Sequence, residues 1–538
     1  MTSSLIRGRP RRAGRAHISV RVVHTLVGGV AGVVWLVLPG MTINAAVPVP
    51  AARTTPGTAT ATVAKVDAAQ EEDEKSTIDL VLPLVAVGAA VVLAGYAYVR
   101  RTRRARNRTT PARISAHPVQ PSPTAPPLPE LDDRARALLI EADDWVRTSR
   151  EELGFARARF AEAAAEPFTK VLRDAEAELS AAFRMRQQYD DGVPEDATAR
   201  RHALAGMVGR CQEAGRVLDA EAPAFDRLRG LDLGVGEALA IAETRFRELA
   251  GRTGATETTL TELGDRYGPA AVDSVTGYVE HAKDRLVFTT SRLNESRQSA
   301  DRGENRRAIR HLREAEGAVT QAAEFLTAVD ELATDLARAE ALLPPALTGA
   351  EAELSAARAA GGEGSPAAQV PPAELHARHA RADLVLAAVR EELTGGPYDP
   401  LDALRKVVRA VLPVAGGRAG VLAVAASLVA GSSVRGADGF VATHRGVVGV
   451  TARTRLAEAV RLLRAEPADP LAADALARDA RALAERDVRA HGNPIAGAAE
   501  HASGLAGAVL GEVLLHGGTP PSFGGPRTRA RHTDDDLS

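Results

Sequence analysis

The 538-residue chain has one cysteine, Cys211, and only 3% aromatic residues. A single cysteine excludes an intramolecular disulfide framework and a multi-cysteine zinc site. A nucleophilic thiol needs an organised histidine partner, and the sequence offers none, so Cys211 reads as a buried helical thiol. Ten Phe, six Tyr and two Trp are few large side chains for a compact enzyme core of this length. Lysine is scarce too: Lys65, Lys75, Lys170, Lys283 and Lys406 are the whole set, and arginine carries the rest of the basic charge. The sequence contains no G-x-x-x-x-G-K-[ST] phosphate loop, no H-E-x-x-H zinc helix and no G-x-S-x-G nucleophile elbow, so the commonest nucleotide, zinc-protease and hydrolase signatures are missing.

Small apolar residues and charge are plentiful. Hydrophobic residues make up 45% and charged residues 25%, a mixture suited to long helices packed side by side. The net charge of −2 is unevenly distributed. Residues 1–110 hold 15 Lys/Arg and 6 Asp/Glu, and the remainder holds 52 and 63. An acidic body lacks the basic footprint that nucleic acid requires, and no nucleic-acid partner is expected for it.

The basic excess flanks two apolar runs. Arg7, Arg9, Arg11, Arg12, Arg15 and Arg21 precede a run from Val22 to Met41, the pattern of a secretory signal. Cleavage near Ala45 or Ala46 and retention as a signal anchor both fit. The second run, Ile78 to Val99, matches the ~20 residues that cross a bilayer and ends on Tyr96 and Tyr98. Arg100, Arg101, Arg103, Arg104, Arg106 and Arg108 come next, a stop-transfer signal that places the downstream chain in the cytoplasm. The expected organisation is therefore a signal or anchor at 1–45, an outer linker at 46–77 and a transmembrane helix at 78–99. A basic, Pro-rich linker at 100–129, a cytoplasmic helical region at 130–490 and a Gly-rich disordered tail at 491–538 complete it.

Within 130–490 the apolar spacing is helical. Leu131, Ala135, Leu138, Ala142, Trp145, Ser149 and Leu153 form one stripe, with Leu139 and Val146 alongside. Val275, Val279, Ala282, Leu286 and Leu293 form another, and Ala308, Leu312, Ala315, Val319, Ala322, Leu326 and Val329 a third. Breaks are expected at Asp191–Pro194, Asp301–Gly303, Pro344–Pro345, 361–366 and Gly395–Pro397. The fold class is all-α: long antiparallel bundles or coiled-coil segments, with one or two membrane helices and disordered linkers. The apolar stretch 419–431 is too short for a good membrane span and reads as a buried helix.

Few residues suggest chemistry. His376 and His379 could share a helix face and hold a metal, but no carboxylate pattern completes a site, and a solvated face is expected. Thr443-His444-Arg445 reads as capping and packing at a helix start. The acidic run Glu71–Glu74 has no rigid cage for a cation. No catalytic, cofactor-binding or metal residue is assigned, and no cofactor is expected.

Several stretches carry a family likeness: LPELDDRARALLIEADDWVRTSREELGFARARF (128–160), HAKDRLVFTTSRLNESRQSADRGENRRAIRHLREAEGAV (281–319), GGPYDPLDALR (395–405) and FVATHRGVVGVTARTRLAEAVRLL (440–463). Together they resemble the cytoplasmic helical region of actinobacterial TPM-domain membrane proteins. GNP (492–494), GAVLGEVLL (507–515) and PSFGGPRTRAR (521–531) resemble a worn version of that family's glycine-rich tail. In that family a TPM domain, in some cases linked to phosphatase activity and divalent metal, lies outside the membrane. Residues 46–77 leave no room for one. The resemblance thus implies either a divergent paralogue or a member without its outer domain, and no TPM residue carries over. The expected function is a non-catalytic, membrane-anchored helical scaffold. Its expected partners are an unidentified cytoplasmic or membrane protein, the lipid bilayer and further copies of itself. The alternatives are a degenerate metal-dependent phosphatase and an anionic-lipid or nucleic-acid binder using the Arg-rich segment.

Overall fold

In the computed structural model, residues 126–359, 370–415, 420–492 and 522–534 are described. They are all-α, and no strand occurs among them. Both apolar runs of the first hundred residues, the linkers around them and the 361–366 break lie outside the described residues.

Three helices open the fold: α1 (Leu128–Arg159), α2 (Glu162–Asp191) and α3 (Ala197–Arg229). The apolar stripe of α1 is buried as its spacing predicts, from Leu131 through Ala135, Leu139, Ala142, Trp145 and Ser149 to Leu153, with Leu138 half-buried at the edge. The Asp191-Gly192-Val193-Pro194 break separates α2 from α3. Asp196 then caps α3, its carboxylate accepting from the Ala199 amide at 2.8 Å; such a cap satisfies an amide that the helix itself cannot. Gly230, at φ 59°, ends α3 in the left-handed region where glycine carries no Cβ penalty.

Helix α4 (Gly236–Tyr267) and the short α5 (Pro269–Val272) lead to α6 (Tyr278–Asp301) and α7 (Asn305–Ala359). The last two form an antiparallel hairpin turned at Gly303, φ 76°. Their stripes meet as the spacing predicts: Val279, Ala282, Leu286 and Leu293 on α6 and Ala308 through Val329 on α7 are all buried.

The break expected at Pro344–Pro345 does not occur. Helix α7 runs 55 residues through both prolines, about 80 Å at 1.5 Å per residue. Each interior proline costs roughly 3 kcal/mol. Against that, Leu343, Ala346, Leu347, Ala350 and Leu354 continue the buried seam across the site, and each buried leucine contributes about 1.5–3 kcal/mol. Packing outweighs the local signal.

Helices α8 (Pro372–Thr394), α9 (Pro400–Ala415), α10 (Gly420–Thr443), α11 (Val450–Arg464) and α12 (Pro470–Gly492) complete the body. The Gly395–Pro397 break falls between α8 and α9, where Asp399 accepts from the amides of Leu401 (2.9 Å) and Asp402 (3.1 Å). Helix α10 contains the apolar stretch and, among the described residues, is the one helix long and apolar enough to cross a membrane. Leu422, Ala425, Ala426, Val429 and Ala430 are nevertheless buried in a core shared with α7 and α9. Arg435 pairs with Asp335, and Asp438 with Arg147. At 24 residues α10 is longer than the apolar stretch suggested, and it buries one face while Ala423, Val424 and Ser427 stay exposed.

The expectation of a disordered tail fails for residues 522–534. Ser522–Gly525 are buried, and Pro526–Asp534 form a nine-residue helix, α13, against α3. The glycine-rich composition pointed to disorder, but one aromatic residue, Phe523, anchors the segment.

Candidate functional site

The residues singled out in the sequence do not converge. Cys211 is buried in the α1–α3 core, and burial pushes its thiol up to about 12, far from the range of a nucleophile. His376 is exposed, whereas His379 faces the core, so the solvated-face reading holds for only one of them. Helix α8 turns His379 inward with Ala382 and Leu386. Thr443 and His444 lie at the end of α10, not at a helix start. The His444 ring stacks on Phe440 at 4.1 Å, with Nδ1 3.1 Å from the Phe440 carbonyl oxygen and 2.9 Å from Thr443 Oγ1. Burial holds that imidazole down at about 4.

Two charged groups in the interior draw distant segments together. At the first, Arg453 of α11 is fully buried against α1 and donates from one nitrogen to Asp143 (2.6 Å) and Asp144 (2.8 Å). Its other nitrogens reach the carbonyls of Val448 and Arg445. Arg147 joins Asp143 to Asp438 of α10, and Arg445 meets Glu151 at 2.6 Å. Burial alone would raise the Asp143 carboxyl, but Arg147 and Arg453 beside it hold it below the usual carboxylate range. At the second, Arg229 places one nitrogen 2.8 and 2.6 Å from the two Glu316 oxygens, with Glu152 at 3.7 Å. Burial, with Glu316 adding to it, pushes Glu152 up to about 7. These groups join helices that lie far apart in the sequence.

The third feature is a cleft between α1 and α3, and the C-terminal segment is seated there. Phe523 is fully buried. It stacks on Phe225 at 4.4 Å and meets Phe168 edge-on at 5.9 Å. The Gly524 amide donates to Ser149 Oγ at 3.2 Å. A single carboxylate, Asp219 of α3, then receives the amides of Gly525 (2.9 Å), Arg527 (3.1 Å) and Thr528 (3.0 Å), together with the Thr528 hydroxyl (2.8 Å). Asp219 thus supplies from another element the cap that α13 lacks in its own sequence, with negative charge at the positive end of the helix.

Close approach fixes the sequence on both sides. A Cβ at Gly525 would sit 2.2 Å from the Gly215 carbonyl oxygen, and one at Gly215 would sit 2.7 Å from Pro526 and 2.8 Å from Trp145. Only glycine fits at either position. Alongside, an open cavity of about 1030 Å³ is lined by Leu138, Glu141, Trp145, Asp219, Arg527 and Arg531. Of these residues, Trp145 is the seam residue that its spacing predicts. Asp219 gives no signal in the sequence, because one aspartate on a charged helix face looks like any other.

The chain's own segment from Ser522 thus sits in an aromatic pocket, through an approach admitting only glycine, beneath an anionic cap. No protein-family model matches the chain, and no solved structure does. The chain is similar to two proteins that carry the designation UPF0603 protein, from Mycobacterium tuberculosis strains CDC 1551 / Oshkosh and H37Rv. Each is 33% identical over 443 residues, an alignment that takes in 74% of this chain and 65% of the relative. The chain thus spans a little under two thirds of the length of the relatives to which it is similar.

Proposed function

We propose that this chain is a non-catalytic, membrane-anchored helical scaffold, and that the α1–α3 cleft is where it takes hold of peptide. One observation carries the reading: the cleft already holds a Phe-Gly-Gly-Pro-Arg-Thr segment through an aromatic pocket and four hydrogen bonds to Asp219. The apolar runs at 22–41 and 78–99 with their arginine flanks support the anchor and a cytoplasmic body. The ligand class is a peptide with an aromatic residue, two glycines, a proline and basic residues in that order. Catalysis finds no support in Cys211, whose thiol is buried and raised.

The test is a labelled peptide of residues 520–532 added to the full chain carrying Phe523→Ala, which vacates the cleft. Saturable binding that is at least tenfold weaker when Asp219→Ala is added supports the reading. Absence of binding, or binding indifferent to Asp219, overturns it.

A further inference from the structure

The docked segment is joined to the body by a long connector. Helix α12 ends at Gly492 and the docked segment starts at Ser522, so 29 residues, 493–521, lie between them. At roughly 3.3–3.6 Å per residue, such a length spans up to about 100 Å. Six of the 29 are glycine and none is aromatic. Everything that receives the tail belongs to α1, α2 and α3: Ser149, Phe168, Gly215, Asp219 and Phe225. The segment that docks therefore follows the helical body in the chain, its receptor is the first part of that body, and 29 residues separate α12 from it.

From this placement we propose that copies of this chain exchange tails, residues 522–534 of one copy filling the α1–α3 cleft of another. The stacking on Phe225 and the bonds to Asp219 are the same contacts in either case. The balance between the closed and exchanged forms then depends on the connector and on local concentration alone. The entropic cost of closing a connection grows with its length, which weakens the closed form. Exchange of identical elements needs no surface beyond the one already present, and reciprocal exchange closes a symmetric pair. The inference rests on the peptide-docking reading above. The membrane anchor strengthens it, because copies confined to one bilayer meet at high effective concentration.

The test uses two full-length variants reconstituted together in vesicles. Asp219→Ala disables the cleft and keeps the tail; Phe523→Ala disables the tail and keeps the cleft. Tail exchange predicts at least fivefold more recovery of one variant on a tag carried by the other than between two Phe523→Ala copies. It also predicts that excess 520–532 peptide removes the difference. Asp219→Lys, which meets the same amide donors with a cation, repeats the cleft arm in case the alanine variant folds poorly. Equal recovery in all pairings overturns the exchange, as does association that persists without any functional tail. If the peptide binds the vacated cleft and the copies do not exchange, the docking reading stands and this inference falls.

Discussion

Helix α11 and the tail helix α13 both reach back onto α1, and they are fastened differently. Arg453 on α11 is sealed between Asp143 and Asp144, and Arg147 extends the network to α10. Opening it would strand charges in the interior. On the tail, Arg527 is exposed, and the anchoring charge, Asp219, bonds neutral amides and a hydroxyl. The tail also buries Ser522, Phe523, Gly524, Gly525 and Thr528, and half-buried Arg529 reaches the Asp144 carbonyl at 3.4 Å. One contact is a buried ion network centred on α1, and the other a set of neutral donors gathered on one carboxylate of α3. The difference lies in what is left behind on opening: an unpaired buried ion in one case, a solvated carboxylate in the other.

Loss of the α11 contact should have the largest effect. Arg453→Ala strips Asp144 of its bonded arginine and leaves Asp143 with Arg147 alone, and should lower unfolding free energy by about 3–5 kcal/mol, read as the shift of a urea transition. Phe523→Ala, the equivalent cut on the tail, empties the aromatic pocket and should weaken docking by about 3 kcal/mol. The urea midpoint of the body should stay within error while trypsin gains access at Arg527, Arg529 and Arg531.

Acidity separates the two regions as well. Burial, with Glu151 beside it, pushes half-buried Glu324 near the Arg445 pair up to about 7. Between 4.5 and 7 the folded chain therefore holds a proton that the unfolded chain has released, so this group loses stability as pH rises through that window. Glu324→Gln should gain on the wild type by roughly 2–3 kcal/mol from pH 4.5 to 8, measured as paired melting curves, while tail protection stays unchanged. His444, held at about 4, has the opposite sign. Its contribution is lost as pH falls from 6.5 towards 4, so the wild-type profile should be shallow where the two overlap. The smallest effect belongs to Asp219→Asn, which keeps one acceptor oxygen for the amides and should weaken docking by about 1 kcal/mol, read as faster amide exchange at Thr528.

Much of the body is legible from spacing. Ala308, Leu312, Ala315, Val319, Ala322, Leu326 and Val329 recur at helical intervals because they share one buried face, and all are buried. The turn at Gly303 and the breaks at 191–194 and 395–397 are legible because they depend on local backbone chemistry. Pro344–Pro345 misleads because the local penalty says nothing of the seam that runs through it. His379 misleads because helix phase within α8 decides which histidine turns inward. The cleft is the least legible part. Asp219 and Phe523 lie about 300 residues apart, and their pairing is a property of tertiary approach that no local window contains. The aromatic residue inside a glycine-rich stretch is the one available clue, since an isolated Phe among glycines is costly to leave in water.

Hydrogen exchange across residues 522–534 of the full-length chain tests the central claim most directly. The docked cleft predicts protected amides at Gly524, Gly525, Arg527 and Thr528, with that protection lost in Asp219→Ala and in Phe523→Ala while α1–α3 remain protected. Free exchange of those four amides in the wild type, or protection that survives both substitutions, would contradict it.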